Sequence, residues 1–410
     1  MEQPEQNVFL IGAKSLGAYG GYETFVNKLT QYHAEQPQLK YHVACKANGN
    51  GAMDISELPG VVLNEQQEFE FHHARCFLVK VPPIGSAEAI YYDVAALERC
   101  CQYIEAHQIA HPIVYIMACR IGPFIRHFYR RIHRLGGKIY LNPDGHEWKR
   151  TKWNRLIRAY WKYSERRMVR YCDLTVCDSV HIEEYIHQSY DGRGIGRADP
   201  KTTFIAYGAE VCQDRPQEQD RQRAEDWFAE HGLRAGEYYL SVGRFVPENS
   251  FEIMLREFMH SDTERDFAII TTENQKYYDK LKEKIHFSAD HRIKFVGTVY
   301  DEALLKQIRQ NAYAYIHGHT VGGTNPSLLE ALGCTRLNLL TDVVFNREVA
   351  EDSALYWSAE PGSLAGLISR VDRFSPDEIE HFGRRAKERI MAAYTWAEIC
   401  ERYRQLFLRR

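Results

Sequence analysis

The sequence predicts an α/β protein with two Rossmann-like domains that face a central cleft. Three observations indicate this fold class. Short apolar segments alternate with amphipathic segments of helical spacing, the alternation restarts after a polar stretch that begins near Cys212, and the two sets of segments are of near-equal size. A length of 410 residues also suits two domains better than one.

The first set begins with the apolar segment NVFLIG at 7–12, a glycine-rich turn and the segment YETFVNKLTQYHAEQ, in which Phe25, Leu29 and Tyr32 recur at helical spacing. Strands that alternate with helices are typical of a parallel sheet. Further strands are predicted at 41–47, 76–82, 112–118, 138–145, 173–179 and 202–208, and helices at 88–107, 122–135 and 148–171.

The polar stretch from Cys212 to His231 indicates a linker that leads into a helix, and hence a domain boundary. We therefore expect domains at 1–210 and 211–385, and an amphipathic C-terminal helix within 386–410 that packs back on the first domain. Strands of the second domain are predicted at 238–245, 267–272, 292–298, 312–318, 336–342 and 355–359, with helices at 250–260, 275–286, 301–311 and from Pro326.

The composition, with 44% hydrophobic and 26% charged residues, is that of an ordinary globular protein. No apolar run approaches the ~18 residues that a membrane-spanning helix needs. The first residues, MEQPEQNVFLIG, lack the basic start of a signal peptide. The ten cysteines show no CxxC pair and no metal-ligand spacing, so we predict core thiols and no metal site.

Positive charge is concentrated between Arg120 and Arg170. This segment contains fifteen Lys and Arg residues but only three acidic residues. Aromatic residues are interleaved with them, among them Trp148, Trp153, Tyr160, Trp161 and Tyr163. This composition suits an anionic membrane surface or a nucleic acid. A solvated helical face with structural aromatics explains it equally well.

The segment HGHTVGGTNPSLLEALG at 317–333 is suited to bind an anion. It follows a predicted strand, and Asn325 and Pro326 are favourable as the cap and first residue of a helix, whose free N–H groups attract phosphate. Gly322 and Gly323 let the backbone approach a ligand closely. The alternative is a tight loop before a capped helix.

Two charged residues complete this predicted site. Arg244 ends the strand YYLSVGR and can bind a diphosphate, in place of a metal ion, although a structural salt bridge is the alternative. Glu330, one turn into the helix, can accept hydrogen bonds from sugar hydroxyls. The glycine-rich amino-terminal loop does not fit GxGxxG, and GxxxxGK[ST], GxSxG and DxD motifs do not occur, which disfavours a dinucleotide oxidoreductase and a metal-dependent transferase.

With these motifs, the chain resembles GT-B glycosyltransferases of the large retaining family 4. It resembles more closely the bacterial rhamnosyltransferases of polysaccharide assembly. The resemblance implies a GT-B fold with an acceptor-binding domain at 1–210 and a nucleotide-sugar-binding domain at 211–385. The matching stretches span nearly the whole chain: GGYETFVNKL, NPDGHEWKRTKW, GRFVPEN, KFVGTVYD, HGHTVGGTNPSLLEAL and FNREVA.

The resemblance implies retaining, metal-independent transfer of L-rhamnose from dTDP-L-rhamnose to a polyprenyl-diphosphate-linked sugar, GlcNAc or Glc. This places the protein in the cytoplasm, at the inner face of the cytoplasmic membrane, with no nucleic-acid partner. A basic, aromatic face would then dock on the anionic membrane, with these residues facing it: Trp148, Lys149, Arg150, Lys152, Trp153 and Arg155. Whether the chain forms a homodimer is left open.

For the donor site, the resemblance implies that Arg244 and the backbone N–H groups from Gly323 through Thr324 to Asn325 hold the diphosphate. Glu330 would bind the nucleotide's sugar hydroxyl. On the first domain, Gly20 and Gly21 would let the loop approach the diphosphate.

Two positions depart from the family 4 pattern. Asn249 stands where a lysine is usual, and Gly322 where a glutamate contacts the donor sugar. His319 and Thr320 are the nearest side chains that can replace these contacts.

For the acceptor site, Asp144 in the loop NPDGHEW is the candidate to orient or deprotonate the acceptor hydroxyl, with His146 and Glu147 as alternatives in the same loop. Asp144 can instead stabilise a turn. Structural roles are expected for Asp178 and Glu348. Two other functions stay open: a transferase with a UDP-hexose donor, and a catalytically silent GT-B protein that only docks at the membrane.

Overall fold

The apolar segments of the chain form two parallel sheets, one in each of two units. The computed structural model describes residues 5–18, 20–58, 60–150, 153–193, 198–213, 217–272 and 274–409. The first unit comprises Met1–Tyr207 together with Trp396–Arg410, and the second unit is Gly208–Thr395.

The sheet of the first unit has eight strands within the described residues: β1 Gln6–Ile11, β2 Leu39–Lys46, β3 Glu68–Phe71, β4 Ala74–Val79, β5 Ile113–Met117, β6 Lys138–Asn142, β7 Leu174–Cys177 and β8 Thr202–Phe204. Their spatial order is β3-β4-β2-β1-β5-β6-β7-β8. All neighbours pair in parallel except β3 with β4. The central strand β5 is buried along its whole length, as its continuous apolar run predicts.

Helices cover this sheet: α1 Gly21–Tyr32, α2 Glu88–Ala106, α3 Gly122–Arg134, α4 Arg155–Arg170 and α5 Val180–Tyr190. The predicted helix start at 148 is wrong. The side chain of Asn154 caps α4 by accepting a hydrogen bond from the N–H of Ile157 at 3.0 Å, and residues 147–149 form only a short 3-10 turn. Strand β3 and helix α5 were not predicted.

Helix α14, Trp396–Leu408, packs in the first unit. The rings of Tyr403 and Phe407 contact buried aromatic rings of β5 and α1, and the hydroxyls of Tyr115 and Tyr403 lie 3.0 Å apart. The boundary predicted at residue 385 falls inside a helix of the second unit, α13 Pro376–Ala393, and the chain leaves that unit only after Thr395.

The second unit contains, within the described residues, a sheet of six parallel strands: β9 Tyr238–Val242, β10 Asp266–Ile270, β11 Ile293–Phe295, β12 Ala314–His317, β13 Asn338–Thr341 and β14 Leu355–Trp357. Their order is β11-β10-β9-β12-β13-β14. The other helices of this unit are α6 Glu218–His231, α7 Phe251–Met259, α8 Gln275–Ile285, α9 Glu302–Gln310, α10 Pro326–Cys334, α11 Val344–Ala350 and α12 Ser363–Val371.

Each sheet reverses its strand order beside its first strand, β1 or β9. At such a switch point, the loops after the two flanking strands diverge and leave a crevice at the carboxyl edge, where open α/β sheets bind ligands. The loops after β1 and β5 form this edge in the first unit, and the loops after β9 and β12 form it in the second.

The cysteines follow the prediction except for one pair. Eight are free thiols, seven of them buried and Cys172 half-buried. Cys212 and Cys334 instead form a disulfide, with their Cα atoms 4.9 Å apart. The prediction of thiols was wrong for this pair because the fold places the linker before α6 against the end of α10, where the N–H of Cys212 donates to the carbonyl of Gly333 at 3.0 Å.

Candidate functional site

The loop between β12 and α10 starts with a close backbone contact. A Cβ at Gly318 would lie 2.4 Å from the carbonyl oxygen of Asn249, so only glycine fits between this loop and the loop after β9. The side chain of Asn325 accepts a hydrogen bond from the N–H of Leu328 at 3.3 Å, and Pro326 begins α10. The amino-terminal end of α10 therefore lies at the carboxyl edge of the second sheet, preceded by the buried Gly323 and Thr324.

Arg244 lies at the same edge, two residues after β9, and its side chain is exposed. Strands β9 and β12 are paired neighbours, so the loops that follow them both border the crevice at the switch point. A guanidinium and the first N–H groups of a helix are both suited to the oxygens of a phosphate. The second unit thus places the predicted diphosphate-binding residues on one sheet edge.

Asn249 connects the two loops through its side-chain amide. Its Nδ2 donates to the carbonyl oxygen of Arg244 at 2.7 Å, and its Oδ1 lies 2.7 Å from Nδ1 of His319. An amide oxygen can only accept a hydrogen bond, so Nδ1 of His319 is the donor. Asn249 was predicted as a donor-binding residue, and the structure shows its amide bound to these two groups of the protein.

Gly322 lies beside His319, with φ at 135°. A Cβ at position 322 would be 3.2 Å from Nε2 of His319. The hydroxyl of Thr320 points elsewhere, because it donates to the carbonyl of Glu248 at 2.9 Å. Of the two side chains predicted to replace the missing glutamate, His319 is therefore the one with a ring nitrogen directed at this position.

Glu330 forms an ion pair with Arg309, at 2.6 Å between Oε2 and Nη2. The same guanidinium donates to the hydroxyl of Ser327 at 3.2 Å, which in turn donates to the carbonyl of Val242 at the end of β9. This network ties the first turn of α10 to β9 and fixes the direction of Glu330. Sequence reasoning missed Arg309, although a basic residue on the apolar face of an amphipathic helix signals a buried partner.

His317, the last residue of β12, lies beneath this loop. Its side chain is buried, and its Nε2 has no hydrogen-bond partner among the described residues. Burial lowers the pKa of His317 well below its usual value, so the ring is neutral. The rings of His317 and His319 have their centres 6.0 Å apart.

In the first unit, Asp144 follows β6 at the carboxyl edge, with a positive φ of 59°. Its N–H donates to the side chain of Asn142 at 2.8 Å, and its own Oδ1 accepts from the N–H of Gly145 at 2.8 Å. The turn-stabilising role that was the alternative for Asp144 is therefore present. It occupies one carboxylate oxygen, and it does not exclude a role toward a ligand.

Asp144 belongs to a polar group that we call the first-unit cluster: Tyr22, Arg120, Asp144, Asp178 and Tyr207. Burial raises the pKa of Tyr22 and of Tyr207, and the carboxylates of Asp144 and Asp178 raise both further. The guanidinium of Arg120 lies 5.9 Å from the ring centre of Tyr22. Asp178, for which only a structural role was expected, thus lies in this cluster at the end of β7.

Arg120 is anchored by Asp93, a fully buried residue of α2, at 3.1 Å. Burial raises the pKa of Asp93, while Arg120 lowers it. For Arg120, burial lowers the pKa, but the Asp93 carboxylate and the neighbours in the cluster raise it more, so the guanidinium stays charged. Sequence reasoning missed Arg120, although it follows an apolar strand just as Arg244 does.

Gly20 and Gly21 lie at the start of α1. Gly20 is extended, with φ at 174°, and a Cβ there would come within 2.5 Å of a carboxylate oxygen of Glu23. The other oxygen of Glu23 accepts from the N–H of Lys14 at 3.0 Å. Among the described residues, no atom beyond the adjoining ones lies within 4 Å of where a Cβ at Gly21 would be, which leaves room there for a ligand.

The other acceptor candidates in the loop after β6 have structural contacts. Burial lowers the pKa of His146 to about 4, with Lys149 and Lys162 lowering it further, and its ring packs 4.1 Å from that of Tyr185. Glu147 accepts from the indole N–H of Trp153 at 2.9 Å and pairs with Arg150 at 2.5 Å.

Trp148, Arg150 and Trp153, which were expected to face a membrane, are half-buried and have partners within the protein. The indole N–H of Trp148 donates to the hydroxyl of Tyr185 at 3.1 Å, and the ammonium of Lys162 lies 4.5 Å from its ring. Arg150 and Trp153 are bound to Glu147, as described above, so all three side chains serve to pack this loop.

Other residues of this loop and of helix α4 are exposed. Lys149 and Arg155 are exposed, while Lys152 lies outside the described residues. Helix α4 also exposes two large apolar side chains, with Leu156 83% and Tyr163 52% accessible. Basic and apolar side chains therefore share the exposed face of α4.

The carbonyl of Glu348 in α11 accepts from Arg389 at 3.0 Å, which fits packing within the second unit. In the described part of the chain, no three His, Cys, Asp or Glu side chains converge as metal ligands. No helix there is both long and apolar enough to cross a bilayer.

Solved structures show the fold. Sucrose-phosphate synthase from Thermosynechococcus elongatus aligns with a TM-score of 0.73 and 16% identity, over 98% of this chain and 99% of its own. HepE from Anabaena in complex with UDP gives 0.67 and 13%, over 98% and 99%. The trehalose-6-phosphate protein from E. coli bound with UDP-2-fluoro glucose gives 0.69 and 10%, over 98% and 99%. The predicted GT-B fold, with two parallel-sheet domains, is confirmed.

The sequence of the chain matches one protein family. No curated protein matches the chain significantly. One family profile, described as a domain of unknown function, DUF1972, matches residues 5–210. The match covers half of the 410 residues and includes every residue of the first-unit cluster. The chain, a protein of the GT-B fold, belongs to the DUF1972 family.

Proposed function

We propose that this protein is a glycosyltransferase that takes its sugar from a nucleoside-diphosphate donor. The observation that carries the proposal is the placement of Arg244 and the amino-terminal end of α10 on one edge of the second sheet. These groups suit the two phosphates of such a donor. The solved structures with UDP or UDP-2-fluoro glucose support a nucleotide of this kind, since they share the fold.

The donor we propose is dTDP-L-rhamnose. The support is the resemblance of the sequence to bacterial rhamnosyltransferases, together with Asn249 and Gly322 in place of the lysine and glutamate of the broader family. Glu330, directed by Arg309, would accept hydrogen bonds from the sugar of the nucleotide.

The reaction we propose is retaining and independent of metal. Arg244 and the N–H groups before α10 stabilise the negative charge that develops on the leaving diphosphate. No enzyme nucleophile is assigned. Asp144 orients or deprotonates the acceptor hydroxyl, supported by its place in the first-unit cluster, where Tyr22 and Arg120 offer further hydrogen bonds.

The acceptor we propose is a polyprenyl-diphosphate-linked GlcNAc or Glc at the inner face of the cytoplasmic membrane. The exposed face of α4 supports membrane docking, because Leu156 and Tyr163 lie among basic residues such as Arg155. Docking would use this face together with Lys149 rather than the packed Trp148 and Trp153.

A UDP-hexose donor is the second candidate, and the UDP ligands of the similar structures favour it. A silent GT-B protein that only docks at the membrane is the third. Gly322 favours this alternative, because it replaces the glutamate of the broader family. The presence of Arg244 and Glu330 argues against it.

The test is product formation by the purified protein on polyprenyl-diphosphate-GlcNAc, with dTDP-L-rhamnose or UDP-sugars, in excess EDTA. A lipid heavier by one deoxyhexose, formed only with dTDP-L-rhamnose, supports the whole proposal. A product formed only from UDP-sugars refutes the rhamnosyl donor. If no donor gives a product although the protein binds nucleotide, the result supports the alternative of a catalytically silent GT-B protein.

A further inference from the structure

Helices α3 and α4 lie side by side on one face of the first sheet. They connect β5 to β6 and β6 to β7, which are consecutive strands of the sheet, and right-handed crossovers place both helices on the same side. A Cβ at Gly122 would lie 2.3 Å from the Cα of Ser164, and the ring centres of Tyr129 and Tyr171 are 5.8 Å apart. The outer sides of the two helices therefore share one surface. We call the exposed side chains of α3 and α4 the α3–α4 face.

The α3–α4 face is strongly basic. The two helices contain ten Lys and Arg residues but only one acidic residue, Glu165, which is buried. Within the described part of the chain, six exposed arginine side chains of these helices form no ion pair with a carboxylate, and the side-chain hydrogen bonds of two of them go to backbone carbonyls. The six are Arg126, Arg130, Arg134, Arg155, Arg158 and Arg166.

This positive charge calls for an anionic partner. The chain as a whole has a net charge of -3, so the excess of positive charge is a local feature of this face. Arg126, Arg130 and Arg134 follow one another at a spacing of four residues, which makes their side chains neighbours that repel each other in the free protein. A guanidinium binds two oxygens of a phosphate through parallel N–H groups. A partner that carries many phosphate groups therefore fits this face.

Large apolar side chains share the face with the arginines. Leu156 is 83% and Tyr163 is 52% exposed on α4, where a separation of seven residues places them on one stripe, and Phe124 is 46% exposed at the start of α3. The phosphate backbone of a nucleic acid offers no apolar partner for a leucine. The headgroup region of a bilayer takes up leucine and aromatic side chains next to arginines. The combination favours a membrane surface over a nucleic acid.

We propose that the α3–α4 face docks on a bilayer of anionic phospholipids. The arginines bind lipid phosphates, and Phe124, Leu156 and Tyr163 enter the headgroup region. The inference deepens the proposed function, on which it rests for the lipid-linked acceptor: it adds α3 to the docking surface and names anionic phospholipids as the partner. The face adjoins the first-unit cluster, because the hydroxyl of Tyr160 in α4 donates to the carbonyl of Arg120 at 2.6 Å and α3 begins two residues after Arg120.

The experiment is flotation of the full chain with vesicles of phosphatidylcholine, alone or mixed with phosphatidylglycerol. We expect binding to the mixed vesicles only, and weaker binding as salt is added. Arg126→Gln/Arg130→Gln is expected to reduce the partition coefficient about twenty- to thirtyfold, at about fivefold for each arginine near the surface. Arg126→Lys/Arg130→Lys keeps the charge and should retain most of the binding. Arg221→Gln/Arg234→Gln, at two exposed arginines of the second unit, is the matched control and leaves binding unchanged.

The apolar contribution is tested by Leu156→Ser. We expect this variant to bind the mixed vesicles about five- to tenfold more weakly, because apolar side-chain carbons no longer enter the headgroup region. The loss should be the same at low and high salt, since salt screens charges and not apolar contacts. Val62→Ser, at a valine that is 81% exposed in the loop before β3, is the control and should bind like the wild-type protein.

Equal binding to both kinds of vesicle, or wild-type binding by Arg126→Gln/Arg130→Gln, would overturn the anionic partner, and wild-type binding by Leu156→Ser would overturn the apolar insertion. Binding to a single-stranded oligonucleotide but not to the mixed vesicles would assign the face to a nucleic acid instead. Thermal unfolding of each variant shows that the fold is intact.

Calorimetric titration with dTDP and UDP separates this inference from the proposed function. A protein that binds the mixed vesicles but neither nucleotide refutes the proposed function and leaves the docking face in place. A protein that binds a nucleotide but no vesicles refutes the docking face alone.

Discussion

The guanidinium of Arg309 lies 2.6 Å from the carboxylate of Glu330, and the arginine side chain is only 2% exposed while that of Glu330 is 22% exposed. A buried arginine from α9 therefore directs the carboxylate that stands near the surface in α10. Breaking such a pair leaves a buried charge without this partner, which costs about 3–5 kcal/mol of stability.

Glu330→Ala is expected to weaken donor binding about ten- to a hundredfold, for the loss of charged hydrogen bonds worth about 1.5–3 kcal/mol, and also to destabilise the protein. Adding Arg309→Met removes the buried charge that Glu330 had paired. The double variant should regain stability in a urea titration without regaining nucleotide affinity by calorimetry. If both are regained together, Glu330 has only a structural role.

Arg244→Ala is expected to reduce kcat/KM about a hundred- to a thousandfold, because one donor to the leaving diphosphate is worth about 2.7–4 kcal/mol. Its unfolding midpoint should stay unchanged, since the side chain is exposed. Steady-state kinetics in EDTA measure the effect. The control is Arg234→Ala, an exposed arginine on the loop before β9, at the opposite edge of the sheet. Equal losses in both variants would argue against a specific role for Arg244.

Asp144→Asn separates the two roles of Asp144. Asparagine tolerates the positive φ and can still accept from the N–H of Gly145, so the turn should persist. If the carboxylate acts on the acceptor, transfer falls about a hundredfold or more, while nucleotide affinity is unchanged. Asp191→Asn, an exposed carboxylate after α5, serves as control. Transfer near the wild-type rate would leave Asp144 with the turn alone.

The disulfide between Cys212 and Cys334 closes a long loop, with a sequence separation of 122. Loop closure of this length stabilises a fold by up to about 4–5 kcal/mol in the chain-entropy account. We expect reductant to lower the unfolding midpoint of the wild-type protein but not that of a Cys212→Ser/Cys334→Ser variant. Thiol titration of the unfolded protein should give eight thiols without reductant, and ten would show that the bridge is absent.

We expect the protein to lose stability in mild acid, because three half-buried or buried histidines have lowered pKa values. Burial lowers the pKa of His33 to about 4, of His42 to about 3 and of His146 to about 4, from about 6.5 in the unfolded chain. The unfolded state therefore binds more protons as the pH falls below about 6.5. Unfolding is favoured progressively down to about pH 4, by at most about 1.4 kcal/mol per histidine and pH unit.

The pH effect is checked by urea unfolding between pH 7 and pH 5. His42→Gln is expected to reduce the slope by one histidine's contribution, because glutamine takes up no proton in this pH range. The glutamine amide can still donate to the side chain of Asn7, as His42 does at 2.8 Å, so the fold should persist. The exposed His260→Gln should leave the slope unchanged. An unchanged slope in His42→Gln would mean that His42 takes up its proton in the folded state as readily as in the unfolded one.

Local signals predicted the parts of the fold that depend on local chemistry. The apolar runs gave strands such as β5 and β12, and Asn325 with Pro326 gave the start of α10. Helix α5 was missed although Ile182, Ile186 and Tyr190 recur at helical spacing in its sequence, VHIEEYIHQSY, and are its buried residues. The loop after β6 was misread as helix because Trp153 and Arg150 both bind Glu147, and these contacts hold this stretch in a compact loop before α4 begins.

The candidate site at the carboxyl edge of the second sheet was largely predictable, because a glycine-rich loop and an arginine at the end of a strand are visible in the local sequence. What completes it was not predictable. The pairs Arg309 with Glu330 and Asn249 with His319 join residues from separate elements, and nothing local in either partner identifies the other. The same holds for Asp93 with Arg120, and for the bridge between Cys212 and Cys334.

The return of α14 to the first unit affects the order in which the protein acquires its structure during synthesis. The core around Phe25 and Tyr115 is closed by Tyr403 and Phe407, which the ribosome adds only after the whole second unit. At ~5–20 residues per second, the first sheet must wait on the order of ten seconds or longer with one apolar surface uncovered. A nascent chain of this protein is therefore most exposed to aggregation, and most dependent on chaperones, in the unit that is made first.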